Sequence, residues 1–86
     1  MGLVQAFQFP GCRLWFHTGD HGPPHFHAGA VDAWEMRVFF LQEPPEYEVK
    51  FQLKRVPLRA VREILQLATA HRAELFEEWE RSQADE

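Results

Sequence analysis

The sequence predicts an α+β fold: an antiparallel sheet of four to five strands, arranged as two hairpins, packed against a long or kinked C-terminal helix. Three observations predict it. Apolar and polar residues alternate with period two through the first 55 positions, Pro and Gly pairs punctuate that alternation, and the apolar spacing changes to three and four after Pro57. Strands followed by a helix place the chain in the two-layer α+β class. At 86 residues it reads as one domain, residues 1–55 forming the sheet part and 56–82 the helical part.

Leu3 to Phe9 reads as the first strand, Pro10-Gly11 as a turn, and Cys12 to His17 as the returning strand. In that second strand Cys12, Leu14 and Phe16 share one face, and Arg13, Trp15 and His17 the other. His25 to Ala30 is a short strand in which Gly29 suggests a bulge or turn. Trp34 to Leu41 alternates most clearly, with Trp34, Met36, Val38 and Phe40 opposed to Glu35, Arg37 and Phe39. Pro44-Pro45 cannot continue a ladder and turns the chain. Tyr47, Val49, Phe51 and Leu53 then define an apolar face against Glu48, Lys50, Gln52 and Lys54, as expected for a sheet covered on one side.

Pro57 is expected at the first helical position, where a missing N–H costs nothing. Leu58, Val61, Leu65, Ala68, Leu75 and Trp79 form the helical stripe, widened by Ile64 and Phe76. Ala70-His71-Arg72 interrupts it. An unbroken helix from Leu58 to Ser82 would run roughly 37 Å, longer than the sheet beneath it, so a bend at the interruption is expected. Residues 82–86 read as a frayed acidic end.

Composition narrows the function classes. Hydrophobic residues make up 45% and aromatic residues 14% of the chain, enough to close a small core without covalent staples. Cys12 is the only cysteine, which excludes an intramolecular disulfide and a thiolate zinc cluster and fits a reducing cytoplasm. No leader-like segment and no apolar run near eighteen residues is present, so a membrane partner is not expected. The formal net charge of −4 disfavours a protein whose main work is to hold nucleic acid by its phosphates.

The densest chemical signal is Asp20-His21-Gly22-Pro23-Pro24-His25-Phe26-His27-Ala28. Each proline holds its φ near −65° and pushes the preceding residue out of the helical region, while Gly22 allows a sharp turn before them. His25 and His27 then point to one face of the following strand, Cα atoms roughly 7 Å apart, and Phe26 to the other.

These nine residues resemble the signature of a family of small bacterial proteins, the domain of unknown function 4160. The segment His71-Arg72-Ala73-Glu74-Leu75 followed by Trp79 is similar to the family's C-terminal helical part, so the resemblance spans nearly the whole chain. The hairpin from Trp34 to Lys54 is longer and more charged than in many members. The resemblance implies a neighbouring small protein as partner, in what looks like a toxin–antitoxin gene arrangement in the bacterial cytoplasm. It implies no reaction.

Three readings of the histidines stay open. His21, His25 and His27 are candidate ligands of a divalent metal such as zinc, nickel or iron, with Asp20, Asp32 and His71 as additional candidates. The same rings also suit a structural role, hydrogen-bonded to loop backbone, or acid–base catalysis by His25 and His27. His27 followed by Asp32 is similar to a cupin metal motif, but the chain is too short for that barrel and its last third is helical. His17 reads as a surface or edge residue, Cys12 as buried and inert, and the three Trp as core.

Lys50, Lys54, Arg55, Arg59 and Arg62 form a basic patch, and Glu74, Glu77, Glu78, Glu80, Asp85 and Glu86 an acidic end. That polarity opposes the helix dipole and is compatible with a homodimer paired basic end to acidic end, or with plain solvation. Two function classes follow. One is an interaction module that binds a small cognate protein. The other is a metal- or histidine-dependent hydrolase of RNA or a nucleotide, in which Lys54, Arg55, Arg59 and Arg62 would contact phosphate or partner.

Overall fold

A computed structural model describes residues 2–19 and 22–84. Five strands, β1 (Gly2–Leu3), β2 (Arg13–Phe16), β3 (Phe26–Ala30), β4 (Trp34–Phe39) and β5 (Glu46–Gln52), precede two helices, α1 (Leu58–Ala70) and α2 (Arg72–Ala84). The strands pair antiparallel in sequence order, β1-β2-β3-β4-β5, as a five-stranded meander. The α+β class and the bend between helices are as the sequence predicts. At His71 the backbone leaves the helical region (φ −111°, ψ 23°), and both helices can then stay over the sheet.

One face of the sheet carries the core. Leu14 and Phe16 of β2, Phe26 and Ala28 of β3, and Trp34, Met36 and Val38 of β4 form one buried cluster with Val61, Ile64 and Ala68 of α1 and Leu75 and Trp79 of α2. The alternation in β2, β3 and β4 is thus obeyed residue by residue. Arg72 ties the start of α2 to the β4–β5 turn, donating from Nε to the Phe40 carbonyl at 3.2 Å and pairing with Glu43.

Several local expectations are corrected. The first strand stops at Leu3 instead of running to Phe9. Val4 and Phe7, three residues apart, both enter the core, which a straight strand cannot arrange. The amides of Gln5 and Ala6 find their acceptor in the Glu78 carboxylate, each at 2.7 Å, in place of a strand ladder. Glu78 is therefore 9% exposed and internally used, and it does not belong to the solvated acidic end.

Gly29 is a regular β3 residue paired with Arg13 and Glu35, not a turn. Its lack of a side chain is required by close approach: a Cβ there would sit 2.6 Å from the Trp34 carbonyl oxygen. Pro57 stands one residue before the helix as its N-cap, with extended ψ of 113°. Leu58, counted in the helical stripe, is 60% exposed.

The largest correction concerns β5. A bulge opposite Glu35/Met36 places Tyr47 and Val49 beside Val38 and Met36, but Phe51 beside Glu35 on the other face. Leu53 lies beyond the strand. The single apolar face read from Tyr47, Val49, Phe51 and Leu53 is thus split by one extra residue, Lys50. No residue of β5 is buried, because β5 is the edge strand and the helices do not extend over it.

Candidate functional site: a histidine cluster on the outer face of the sheet

The face of β2 and β3 that carries Trp15 and His27 is not bare. Trp15 and His27 are cross-strand partners on β2 and β3, and their rings stack at 5.4 Å with 17° between planes. His17 meets His27 edge-on at 4.4 Å between ring centres, and His25 lies 5.2 Å from His27. Phe39 of β4 and Trp79 of α2 flank His25 at 5.4 and 5.2 Å. Covered in this way, His25 and His27 are each only 2% exposed.

Hydrogen bonds fix the chemistry of two rings. His25 Nδ1 donates to the Pro23 carbonyl at 2.8 Å. A carbonyl can only accept, so Nδ1 of His25 carries a proton. The Pro-Pro segment both delivers His25 and supplies the group that orients it. His17 is the reverse case: its Nε2 accepts from the Trp15 indole at 3.1 Å, so that lone pair is engaged. His27 Nδ1 stands 3.6 Å from a Glu35 carboxylate oxygen, a charge contact longer than a hydrogen bond. The same oxygen is held by Lys50 Nζ at 3.3 Å. Arg37 on this face pairs with Glu48 at 2.8 Å.

The sequence-derived candidates divide clearly. His25 and His27 come together as the alternation requires. Asp20 and His21 lie outside the described residues. Asp32 occupies the exposed β3–β4 turn with φ 57°, at the far end of β3 from His25. His71 stacks on Phe7 at 5.5 Å and donates from Nδ1 to Glu74 at 2.9 Å. Phe7 in turn packs on Phe26, on the core side of the sheet, so His71 does not join the outer cluster.

His17 was the residue that sequence reasoning missed. Its shared face with Trp15 was readable, but the register that sets Trp15 against His27 was not. Lys54, Arg55, Arg59 and Arg62 are exposed and lie around the start of α1, and Arg59 pairs with Glu63 at 3.4 Å. Cys12 is half-buried, and burial raises its thiol pKa.

Among the described residues, no group of three or more His, Cys, Asp or Glu side chains is placed to hold a metal. No described helix is long and apolar enough to cross a membrane.

A family model for a domain of unknown function, DUF4160, matches residues 11–80. The chain belongs to this family. The matched span takes in the whole Pro-Pro-His-Phe-His segment, strands β2 to β5, α1 and most of α2. No curated protein and no solved structure matches the chain. The family description carries no activity, so function is argued from the surfaces just described.

Proposed function

We propose that this DUF4160 protein is a small interaction module, one half of a toxin–antitoxin-like pair, that binds a small cognate protein beside its edge strand. The observation that carries this reading is the uncovered apolar surface of β5 and its surroundings. Tyr47, Val49 and Leu58 are 41%, 38% and 60% exposed, and with Val56 they line a groove of about 320 Å³ between β5 and the start of α1. A contiguous apolar surface of this kind on a small domain marks an interaction site.

Arg55 lines the groove, and Lys54, Arg59 and Arg62 are exposed close to it in sequence, which suits a partner presenting apolar anchors flanked by acidic side chains. Indiscriminate strand addition to β5 is disfavoured by the Lys50 bulge and by Glu46 and Glu48, devices that protect sheet edges. The hydrolase reading needs Arg59 and Arg62 to steer phosphate toward His25 and His27, and no contact joins the two sets among the described residues.

The test uses the chain and the purified product of its neighbouring gene, mixed and sized by light scattering. A one-to-one complex is expected, and Val49→Glu/Leu58→Glu should abolish it while leaving the far-ultraviolet circular dichroism unchanged. Separate elution of the two proteins, or a complex that survives the double substitution, overturns the reading. A doubled mass of the chain alone, at both low and high salt, would replace the cognate partner by a second copy.

A further inference from the structure

We infer that residues 4–9 form a strap, latched by Glu78, that opens as a unit and controls access to the Cys12 thiol. This inference concerns the N-terminal edge of the sheet and does not depend on the partner proposed for the groove.

The strap crosses from β1 to β2 without joining the sheet. No strand pairing runs through residues 4–9. At one end Val4 N donates to the Leu14 carbonyl at 2.9 Å, and at the other Cys12 N donates to the Phe9 carbonyl at 3.1 Å and closes the turn. Between these ends the attachment is by side chains. Val4 and Phe7 are buried, while Gln5 and Gln8 are exposed. The Phe7 ring stacks on His71, between α1 and α2, at 5.5 Å and meets Phe26 of β3 edge-on at 6.0 Å. A segment tied down in this way sits at the low end of local stability, and paired central strands such as β3 and β4 at the high end.

Glu78 supplies the latch. Its two oxygens accept separately, Oε1 from Gln5 N and Oε2 from Ala6 N, each at 2.7 Å. Hydrogen bonds to an ionised carboxylate are stronger than those between neutral groups. A side-chain amide in the same place cannot make both, because it has one accepting oxygen and its NH₂ would face a backbone donor. The latch is therefore specific to a carboxylate. Pro10-Gly11 supplies the pivot, since Gly11 at φ 84° holds a conformation that side chains disfavour.

The strap is also a wall. Leu3, Val4, Phe7, Cys12 and Leu14 line a concavity of about 560 Å³, and Cys12 is half-buried against the core. Lifting Val4 and Phe7 removes the part of that wall they form, and the thiol then meets solvent.

The test begins with hydrogen exchange of the unsubstituted protein at a series of low urea concentrations. The amides of Gln5 and Ala6 are expected to exchange through a shared opening with little urea dependence, because that opening exposes little surface. The amides of β4 should show the steep dependence of global unfolding. Glu78→Gln should then speed exchange at Gln5 and Ala6 by about tenfold or more, and raise the rate at which a bulky maleimide labels Cys12 by the same factor. Glu77→Gln, the same loss of charge at an exposed neighbour, should leave both within about twofold.

Strap amides that follow the urea dependence of β4 would overturn the separate opening, and this arm needs no variant to fold. Unchanged exchange at Gln5 and Ala6 in Glu78→Gln would overturn the latch. Faster exchange with unchanged labelling of Cys12 would overturn the control of the thiol.

Discussion

Strand β3 contributes Phe26, His27 and Ala28 at 0%, 2% and 0% exposure, whereas β5 has no buried residue from Glu46 to Gln52. By composition the ranking should be reversed. The β5 stretch Glu46-Tyr47-Glu48-Val49-Lys50-Phe51-Gln52 alternates strongly, while Phe26-His27-Ala28-Gly29-Ala30 is small and weakly patterned. Position in the meander decides the outcome. A central strand is covered by neighbours on both sides and by side chains above and below, so Ala and Gly suffice there and even a histidine is enclosed. An edge strand has one neighbour, and here the helices stop short of it. Alternation states which side chains share a face; it does not state whether anything covers that face.

The contrast can be broken or sharpened by substitution. Phe26→Ala empties the centre of the core, where Phe26 meets Phe7 and Phe40. A loss of about 3–5 kcal/mol is expected, a large part of the stability of so small a domain, read by urea denaturation. Gly29→Ala should cost about 1–3 kcal/mol through overpacking, because the obstacle is the Trp34 backbone and cannot swing aside. A Gly29→Ala protein as stable as the parent would mean that β3 and β4 are not held as closely as described.

On β5 the same experiment should do little. Phe51→Ser is expected to change stability by no more than about 0.5 kcal/mol, since Phe51 is 45% exposed; a large loss would show that β5 is covered after all.

The smallest effect belongs to Cys12, between these extremes in burial. Its thiol pKa is raised from 9.0 by burial, so the folded state binds the proton more tightly than the unfolded chain does. The resulting stabilisation is complete below the unfolded thiol pKa and is lost as pH rises through the folded value. Alkylation of Cys12 in the native protein should accordingly be slower than in the urea-unfolded chain at the same alkaline pH, followed by mass spectrometry. Equal rates would place Cys12 in free solvent.

The outer-face cluster was half legible. Alternation through His25-Phe26-His27 sufficed to put the two histidines on one side, and Pro23-Pro24 to say that the loop before them is stiff. The partners were not legible. Trp15 reaches His27 through β2–β3 register, Glu35 reaches it across β3–β4, and Trp79 reaches His25 from α2. These are long-range pairings, and nothing in the local pattern encodes them. His71 and Asp32 were additional donor candidates in the sequence, and only the fold sets them apart, one against Phe7 on the core side and one at the distant turn.

By itself the sequence determined the elements that local chemistry controls. These are the antiparallel strands punctuated by Pro10-Gly11, Pro23-Pro24 and Pro44-Pro45, the faces of β2, β3 and β4, and the helical break at Ala70-His71-Arg72. Tertiary structure decided what local chemistry leaves open. Glu78 was recruited to the Gln5 and Ala6 amides, which ended the first strand at Leu3 because those N–H groups had found a better-placed acceptor. Lys50 was squeezed out as a bulge, which turned Phe51 to the other face. Side-chain period follows from the backbone and can be read one strand at a time. Burial and hydrogen-bond partnership depend on which distant segment arrives, and that is settled only when the layers pack.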